Sequence, residues 1–217
     1  MFENIQVTDF MILDWIQTHL RCGWLDWLMP KITMLGEAGI LWIVIALLFL
    51  WRKPWRKCGL KLFVSLLICL VLGLVLLKNM IARPRPCWIN TDIELLVSVP
   101  GDYSFPSGHT WSGISSALII LMDNRRRGIA AMIMAVVIAF SRLYLYVHFP
   151  SDVLAGAVFG VLMALLTEKI VERYLPKMPA KVTAFFGGDQ EAGKAVEKSG
   201  SETGGKATAE GLEDVTH

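Results

Sequence analysis

Long apolar stretches, cut by short clusters of charge, set the pattern of this chain. The strongest, residues 39–51, is uncharged and ends at Arg52, Lys53, Arg56, Lys57 and Lys61. At about 1.5 Å per residue it is short for a bilayer, so the pattern predicts a first span that begins near Leu35 or earlier. Further spans are predicted at about 60–80, 107–123, 129–146 and 152–170. A polar, proline-bearing loop at about 81–106 joins the second to the third. Arg125, Arg126 and Arg127 separate the third from the fourth, and a tight turn through Phe149-Pro150 leads into the fifth. Residues 8–35 are mixed. Asp9, Asp14, Gln17, His19, Arg21 and Asp26 interrupt an apolar series rich in Trp, which predicts an interfacial amphipathic helix or two helices broken near Gly23.

Composition agrees. Of 217 residues, 54% are hydrophobic, and the mean hydropathy is +0.52, too apolar for an ordinary soluble domain. The predicted fold class is therefore all-α: a polytopic membrane helical bundle of five spans plus N-terminal interfacial helices. Three regions follow: amphipathic helices over 1–35, a membrane core over 36–175, and a cytoplasmic tail over 176–217. From Gly187 onward the tail carries a net charge of −4, leaving +6 on the rest. It is poor in large apolar residues, so disorder is expected. The basic 52–61 and 125–127 loops mark the cytoplasmic side, which places the 81–106 loop and the 147–152 turn outside. Residues 1–10 contain no basic segment and carry Glu3 and Asp9, unlike a cleavable signal peptide. Cys22, Cys58, Cys69 and Cys87 show no metal-like spacing. A Cys22–Cys87 disulfide on the outer side is open. Nothing resembles a nucleic-acid surface, and the expected partners are the bilayer and a lipid substrate.

Three polar clusters fall on the predicted outer side. The first runs from Lys78 to Arg85-Pro86, the second is Pro106-Ser107-Gly108-His109, and the third runs from Ser141-Arg142 through His148 to Asp152. Charge near a bilayer core costs several kcal/mol, roughly 3 kcal/mol at least for Arg, so such groups persist where they pair, meet water or do chemistry. Lys78, Arg85 and Arg142 supply fixed positive charge for phosphate oxygens. Ser107 suits a helix N-cap, Gly108 lets backbone approach a ligand, and the helix start favours an anion. His109 could protonate a leaving oxygen. His148 could attack phosphorus, with Asp152 accepting from its other ring nitrogen. Each feature has a plainer reading: Lys78 as a snorkelling anchor, Arg83 and Arg85 as headgroup contacts, Ser107 as a simple cap, Asp152 as a helix-start acid. Their coincidence on one side of an apolar protein points to a shared anion site. Gly156 and Gly160, with Ser112, Gly113, Ser115 and Ser116, read as close helix contacts. Trp88, Ile89, Ile93, Leu95, Leu96, Val97 and Val99 could line a lipid entry or pack on the bundle.

These clusters resemble, in order and in spacing, the K-x6-R-P, P-S-G-H and S-R-x5-H-x3-D motifs of the type 2 phosphatidic acid phosphatase (PAP2) superfamily, over about residues 25–175. The resemblance implies a six-helix core and a metal-independent lipid phosphatase acting through a phosphohistidine. By motif position His148 would be the nucleophile, Asp152 its partner and His109 the general acid. Lys78, Arg85, Ser107, Gly108 and Arg142 would hold the phosphoryl oxygens, with Arg83 a second choice. No cofactor and no metal are implied, and the sequence shows no carboxylate cluster suited to two divalent ions. Small bacterial members acting on undecaprenyl diphosphate are the nearest in kind. The implied location is a bacterial plasma membrane, with the site outside. Phosphatidate, phosphatidylglycerophosphate and lipid phosphotransfer remain open. Vanadium haloperoxidases share the motif residues but are soluble. A non-enzymatic transporter or scaffold would place its charges at mid-membrane, in broken helices, rather than at helix ends.

Overall fold

The computed structural model describes residues 3–187, and no strand occurs among them. Apolar periodicity and the charged interruptions set the helix ends close to where the sequence places them. Helices α1 (Glu3–His19) and α2 (Gly23–Leu35) form the N-terminal arm. Helix α3 (Ile40–Trp51) follows a break, and α4 (Arg56–Ile68) continues through a π-helical stretch, Cys69–Leu77, into α5 (Lys78–Ile81). The short α6 (Pro86–Ile89) lies in the connecting loop. Helices α7 (Gly108–Asp123), α8 (Arg125–Tyr144) and α9 (Pro150–Tyr174) complete the bundle, and α10 (Ala180–Gly187) follows.

Among the described residues, three helical stretches are long and apolar enough to cross a membrane: 53–89, Arg125–Tyr144 and Pro150–Lys177. The first predicted span differs from expectation. It is interrupted between Leu35 and Ile40, and α2 and α3 are long and apolar enough to cross a membrane only when taken together, across a 44° bend. Ala38 and Gly39 both take positive φ at this break, 48° and 70°, a conformation that ends one helix and redirects the chain. Helix α7 has 16 residues, about 24 Å at 1.5 Å per residue. Its polar, small-residue face survives because α8 and α9 enclose it: Thr110, Ser112, Ser115 and Ser116 are all buried.

The core runs along α3, α4, α7 and α8, where Trp42, Ala46, Leu62, Ala117, Ile119, Ala135 and Ile138 are fully or almost fully enclosed. The small residues of α9 act at its start. A Cβ on Gly156 would lie 2.7 Å from the Ser107 carbonyl oxygen, so glycine there lets α9 lie against the first turn of α7. At the far end, Lys61 pairs with Glu168 at 2.7 Å and Glu172 at 2.8 Å, tying α4 to α9.

The acids of the arm find partners within the protein. Asp9 is buried, exposed Asp14 and half-buried Asp26 accept from the Tyr146 and Tyr144 hydroxyls at 2.8 and 2.7 Å, and Met11, Trp15, Trp24 and Trp27 are exposed. A polar group satisfied inside the protein frees the apolar face for lipid. The tail, expected to be disordered from 176, begins with the turn Leu175–Lys177 and with α10; the rest of that expectation concerns residues 188–217, outside the described residues. All four cysteines are free thiols, so Cys22 and Cys87 are not joined.

Candidate active site

The three clusters meet at one end of the bundle because each sits where a helix begins or stops. Lys78 lies where the π-helical stretch gives way to α5. Ala82, at φ 48°, then turns the chain away, and Pro84 and Pro86 flank Arg85, which is held on extended backbone. Ser107 starts α7. Helix α8 ends at Tyr144, and the 145–149 turn carries His148 beneath the start of α9. Tyr146 adopts φ 59° in this turn, a strained geometry for an aromatic residue, and Asp14 and Asn90 both bond its hydroxyl.

A cavity of about 780 Å³ opens between these ends. Lys78, Arg85, Gly108, His109, Arg142 and His148 line it. The other two residues singled out by sequence do not. Asp152 lies behind His148, fully enclosed. Ser107 holds the N-cap position without a capping bond from its side chain. Its hydroxyl accepts from Thr110 Oγ1 at 3.0 Å, and its N–H donates to the Asp152 carbonyl at 3.2 Å. The contribution of α7 to the cavity is therefore its first-turn N–H groups, which have no carbonyl partner within the helix.

Arg85 organises the centre. Its Nη2 donates to Asp102 Oδ1 at 2.6 Å, its Nε to the Asp102 carbonyl at 2.7 Å, and its Nη1 to the Val147 carbonyl at 2.6 Å. Nη1 is also 3.1 Å from His148 Nε2. A guanidinium has no acceptor, so Nε2 presents its lone pair and the ring proton lies on Nδ1. That nitrogen faces Ser104 Oγ at 3.4 Å and Asp152 Oδ2 at 3.7 Å. Burial, with the charges of Arg85, Arg142 and Lys78, holds His148 well below the ordinary histidine range. It is a neutral imidazole whose Nε2 lone pair, held by Arg85 Nη1, is on the cavity side. Asp152 Oδ2 accepts the Ser104 hydroxyl and the Phe149 N–H, the latter at 3.0 Å.

Two cavity groups are buried without hydrogen bonds of their own: His109 Nε2 and Arg142 Nε. Arg142 Nη1 reaches Thr33 Oγ1 at 2.5 Å. The bend after α2 brings Gly36 against the His109 ring, where a Cβ would come within 2.6 Å of it. Glu37 Oε2 lies 3.8 Å from His109 Nε2.

Sequence reading missed Asp102, Ser104, Thr33 and Glu37. Asp102 is an ion-pair partner of both Lys78 and Arg85. Burial alone would raise its carboxyl, but the bond from Lys78 and the charge of Arg85 hold it well below the usual range. Arg83, the second-choice phosphate contact, points away from the cavity to Asp9 and Asp152. Leu96 and Val97 of the outer loop line the cavity, whereas Leu95 packs on the bundle and Trp88, Ile89 and Val99 are exposed. The main apolar wall comes from elsewhere: Ile43 of α3 with Phe63, Leu66 and Leu67 of α4. Among the described residues, no three His, Cys, Asp or Glu side chains converge to hold a metal ion.

Comparison with known proteins gives a consistent result. The model of the PAP2 superfamily matches residues 58–175. An undecaprenyl-diphosphatase of Sulfolobus acidocaldarius is 37% identical over 130 residues, 59% of this chain and 63% of that protein, so the chain spans less than two thirds of that relative. Phosphatidylglycerophosphatase B of Bacillus subtilis is 30% identical over 169 residues, 71% of this chain and 79% of that protein. A crystal structure of a transmembrane PAP2-type phosphatidylglycerolphosphate phosphatase from Bacillus subtilis superposes with a TM-score of 0.63 at 30% identity, over 79% of this chain and 88% of that one. The matched segment covers more than half of the chain and contains all three clusters around the cavity, and on that ground this protein belongs to the PAP2 superfamily.

Proposed function

We propose that this protein is a membrane lipid phosphatase that hydrolyses a lipid phosphate or diphosphate through a phosphohistidine on His148. The observation that carries this reading is the two-part cavity: three cations and a neutral histidine at one end, and an apolar wall from α3 and α4 at the other. That is the shape of an amphiphile with an anionic head. Lys78, Arg85, Arg142 and the first-turn N–H groups of α7 hold the phosphoryl oxygens. His148 Nε2 attacks phosphorus and forms the N–P bond as the P–O bond to the leaving group breaks. His109 gives that oxygen its proton. Asp152, with Ser104 between, takes the growing positive charge on the ring through Nδ1–H. Water then attacks the phosphohistidine, with His109 taking its proton, and inorganic phosphate leaves.

Undecaprenyl diphosphate is the favoured substrate, cleaved to the monophosphate. Relatives carrying that activity in their names include those of Sulfolobus acidocaldarius and Bacillus subtilis. Phosphatidylglycerophosphate is the second reading, since the Bacillus subtilis phosphatase of that lipid matches a larger share of both chains. The basic 52–61 and 125–127 segments lie at the opposite end of the bundle from the cavity, which favours a plasma-membrane protein with its site outside. The test is phosphate release by detergent-purified protein in EDTA from each of the two lipids. Faster release from undecaprenyl diphosphate supports the first reading, faster release from phosphatidylglycerophosphate supports the second, and dependence on added divalent metal would overturn the mechanism.

Asp102 bears on affinity. Its carboxylate already occupies Lys78 and Arg85, in the place a phosphoryl oxygen takes. A substrate anion has to displace it. Asp102→Asn is expected to tighten competitive inhibition by inorganic phosphate about tenfold, roughly 1.4 kcal/mol, read from the inhibition constant.

A further inference from the structure

Helix α1 lies outside the segment that defines the family, yet one of its acids reaches the residues that hold Asp152 behind His148. Asp9 is 3% exposed. Its Oδ1 accepts the Ser151 N–H at 2.9 Å, and its Oδ2 accepts the Ser151 hydroxyl at 2.5 Å and Arg83 Nη2 at 2.8 Å. The other end of the same guanidinium, Nη1, donates to Asp152 Oδ1 at 2.5 Å and to Ser151 Oγ at 2.7 Å. The guanidinium carbon stands 4.2 Å from the Phe149 ring centre, so the fork is held from its face as well.

We infer that Asp9 and Arg83 are positioning residues that act on the reaction through Asp152. An Arg beside a single buried carboxylate tends to pair with it bidentately, through both oxygens. Here that pairing would draw Asp152 Oδ2 away from His148. Asp9 prevents it by engaging Nη2, so that Nη1 alone reaches Asp152 and only through Oδ1. Oδ2 then stays with Ser104, Phe149 N–H and the Nδ1 side of the nucleophile. Charge follows the same logic. One guanidinium shared by two carboxylates leaves the cluster net negative, so Asp152 can still offset the positive charge that develops on His148 during attack. Neither Asp9 nor Arg83 lines the cavity, so neither meets the substrate.

The inference rests on His148 being the nucleophile, which trapping of labelled phosphohistidine in the wild-type protein tests separately. Asp9→Asn keeps size and removes the charge. With the lipid that the wild type hydrolyses fastest, kcat is expected to fall at least tenfold, with KM and the inorganic phosphate inhibition constant unchanged within twofold. Asp26→Asn is the comparison, because it removes an anchor of the same arm that holds Tyr144 rather than Asp152; it is expected to lower Tm in detergent and leave kcat unchanged. Should Asp9→Asn fail to fold, Ser151→Ala decides, with an expected fall in kcat of about threefold at constant KM. An unchanged kcat in the folded variant, or a loss carried by KM, would overturn the inference while leaving the wild-type phosphohistidine, and so the functional reading, intact.

Discussion

Replacing His148 with alanine is expected to abolish phosphate release, by roughly 10⁴-fold or more, the scale of losing a nucleophile outright. No other group offers a lone pair at the same place. His109 lies across the cavity on α7. Among the lining residues, the remaining basic side chains are cations held by carboxylates, carbonyls or Thr33. His148 is ready without a general base. Burial and the charges of Arg85, Arg142 and Lys78 keep it well below the ordinary histidine range, so the neutral form persists as pH falls. The acid limb of kcat/KM is therefore expected to lie well below pH 6.5, the ordinary histidine value, and a limb at or above it would contradict a neutral, pre-set nucleophile. A rapid quench with phosphate-labelled lipid checks the same point directly. The wild type should hold an acid-labile, base-stable protein-bound phosphate, and His148→Ala should hold none. Label retained by the variant would move the nucleophile elsewhere.

Arg85 carries the second large effect. It is 2% exposed and joins Asp102, the Val147 carbonyl and His148 Nε2 through one planar fork. Lysine keeps the charge but presents it from a point, and cannot reach all three. Arg85→Lys is expected to lower kcat/KM by about 10²-fold, the scale of losing one well-placed transition-state contact. Arg85→Gln should cost more, because it also leaves the Asp102 carboxylate with Lys78 alone. Both terms should change: the inorganic phosphate inhibition constant should rise, since a proposed phosphate contact is gone, and kcat should fall, since the turn carrying His148 loses its tie to the first cluster. A purely electrostatic role would let lysine restore most of the activity.

The geometry also explains why charge is tolerated at this depth. Lys78, Arg83 and Arg85 are all buried, and each meets a carboxylate. Asp152 is enclosed with Arg83, a serine hydroxyl and a backbone N–H. Breaking such a network leaves an uncompensated buried charge, worth roughly 3–5 kcal/mol, so these residues are coupled. The unpartnered atoms, His109 Nε2 and Arg142 Nε, are the exceptions. They border the cavity, where the proposed phosphoryl group would supply what the protein does not.

Much of this was legible in the chain itself. Hydropathy sets where helices run, because a bilayer admits backbone only when its hydrogen bonds are made locally. Alternation of spans then puts Lys78, Arg85, His109, Arg142 and His148 at one end, since each lies where an apolar run begins or stops. Nothing in that logic says which helices are lateral neighbours, or which way a polar side chain turns at a helix end. Those were decided by tertiary packing. The arm showed its acids as interruptions of an apolar series; folding joined Asp9, Asp14 and Asp26 to Arg83, Tyr146 and Tyr144, at separations of 74, 132 and 118 residues. 

Asp102 and Ser104 sat in a loop with no periodicity to orient them, and they became the partner of two cations and the link between Asp152 and His148. Arg83 and Arg85 stand two residues apart, a spacing that regular extended backbone would place on one face, yet one turns to the support of Asp152 and the other to the cavity. The helices, the charged end of the bundle and the set of residues gathered there follow from the order of amino acids along the chain. Which nitrogen of His148 presents its lone pair, which arginine meets the cavity and which acids hold the site in place follow from packing, because those depend on contacts between segments that hydrophobic periodicity does not order.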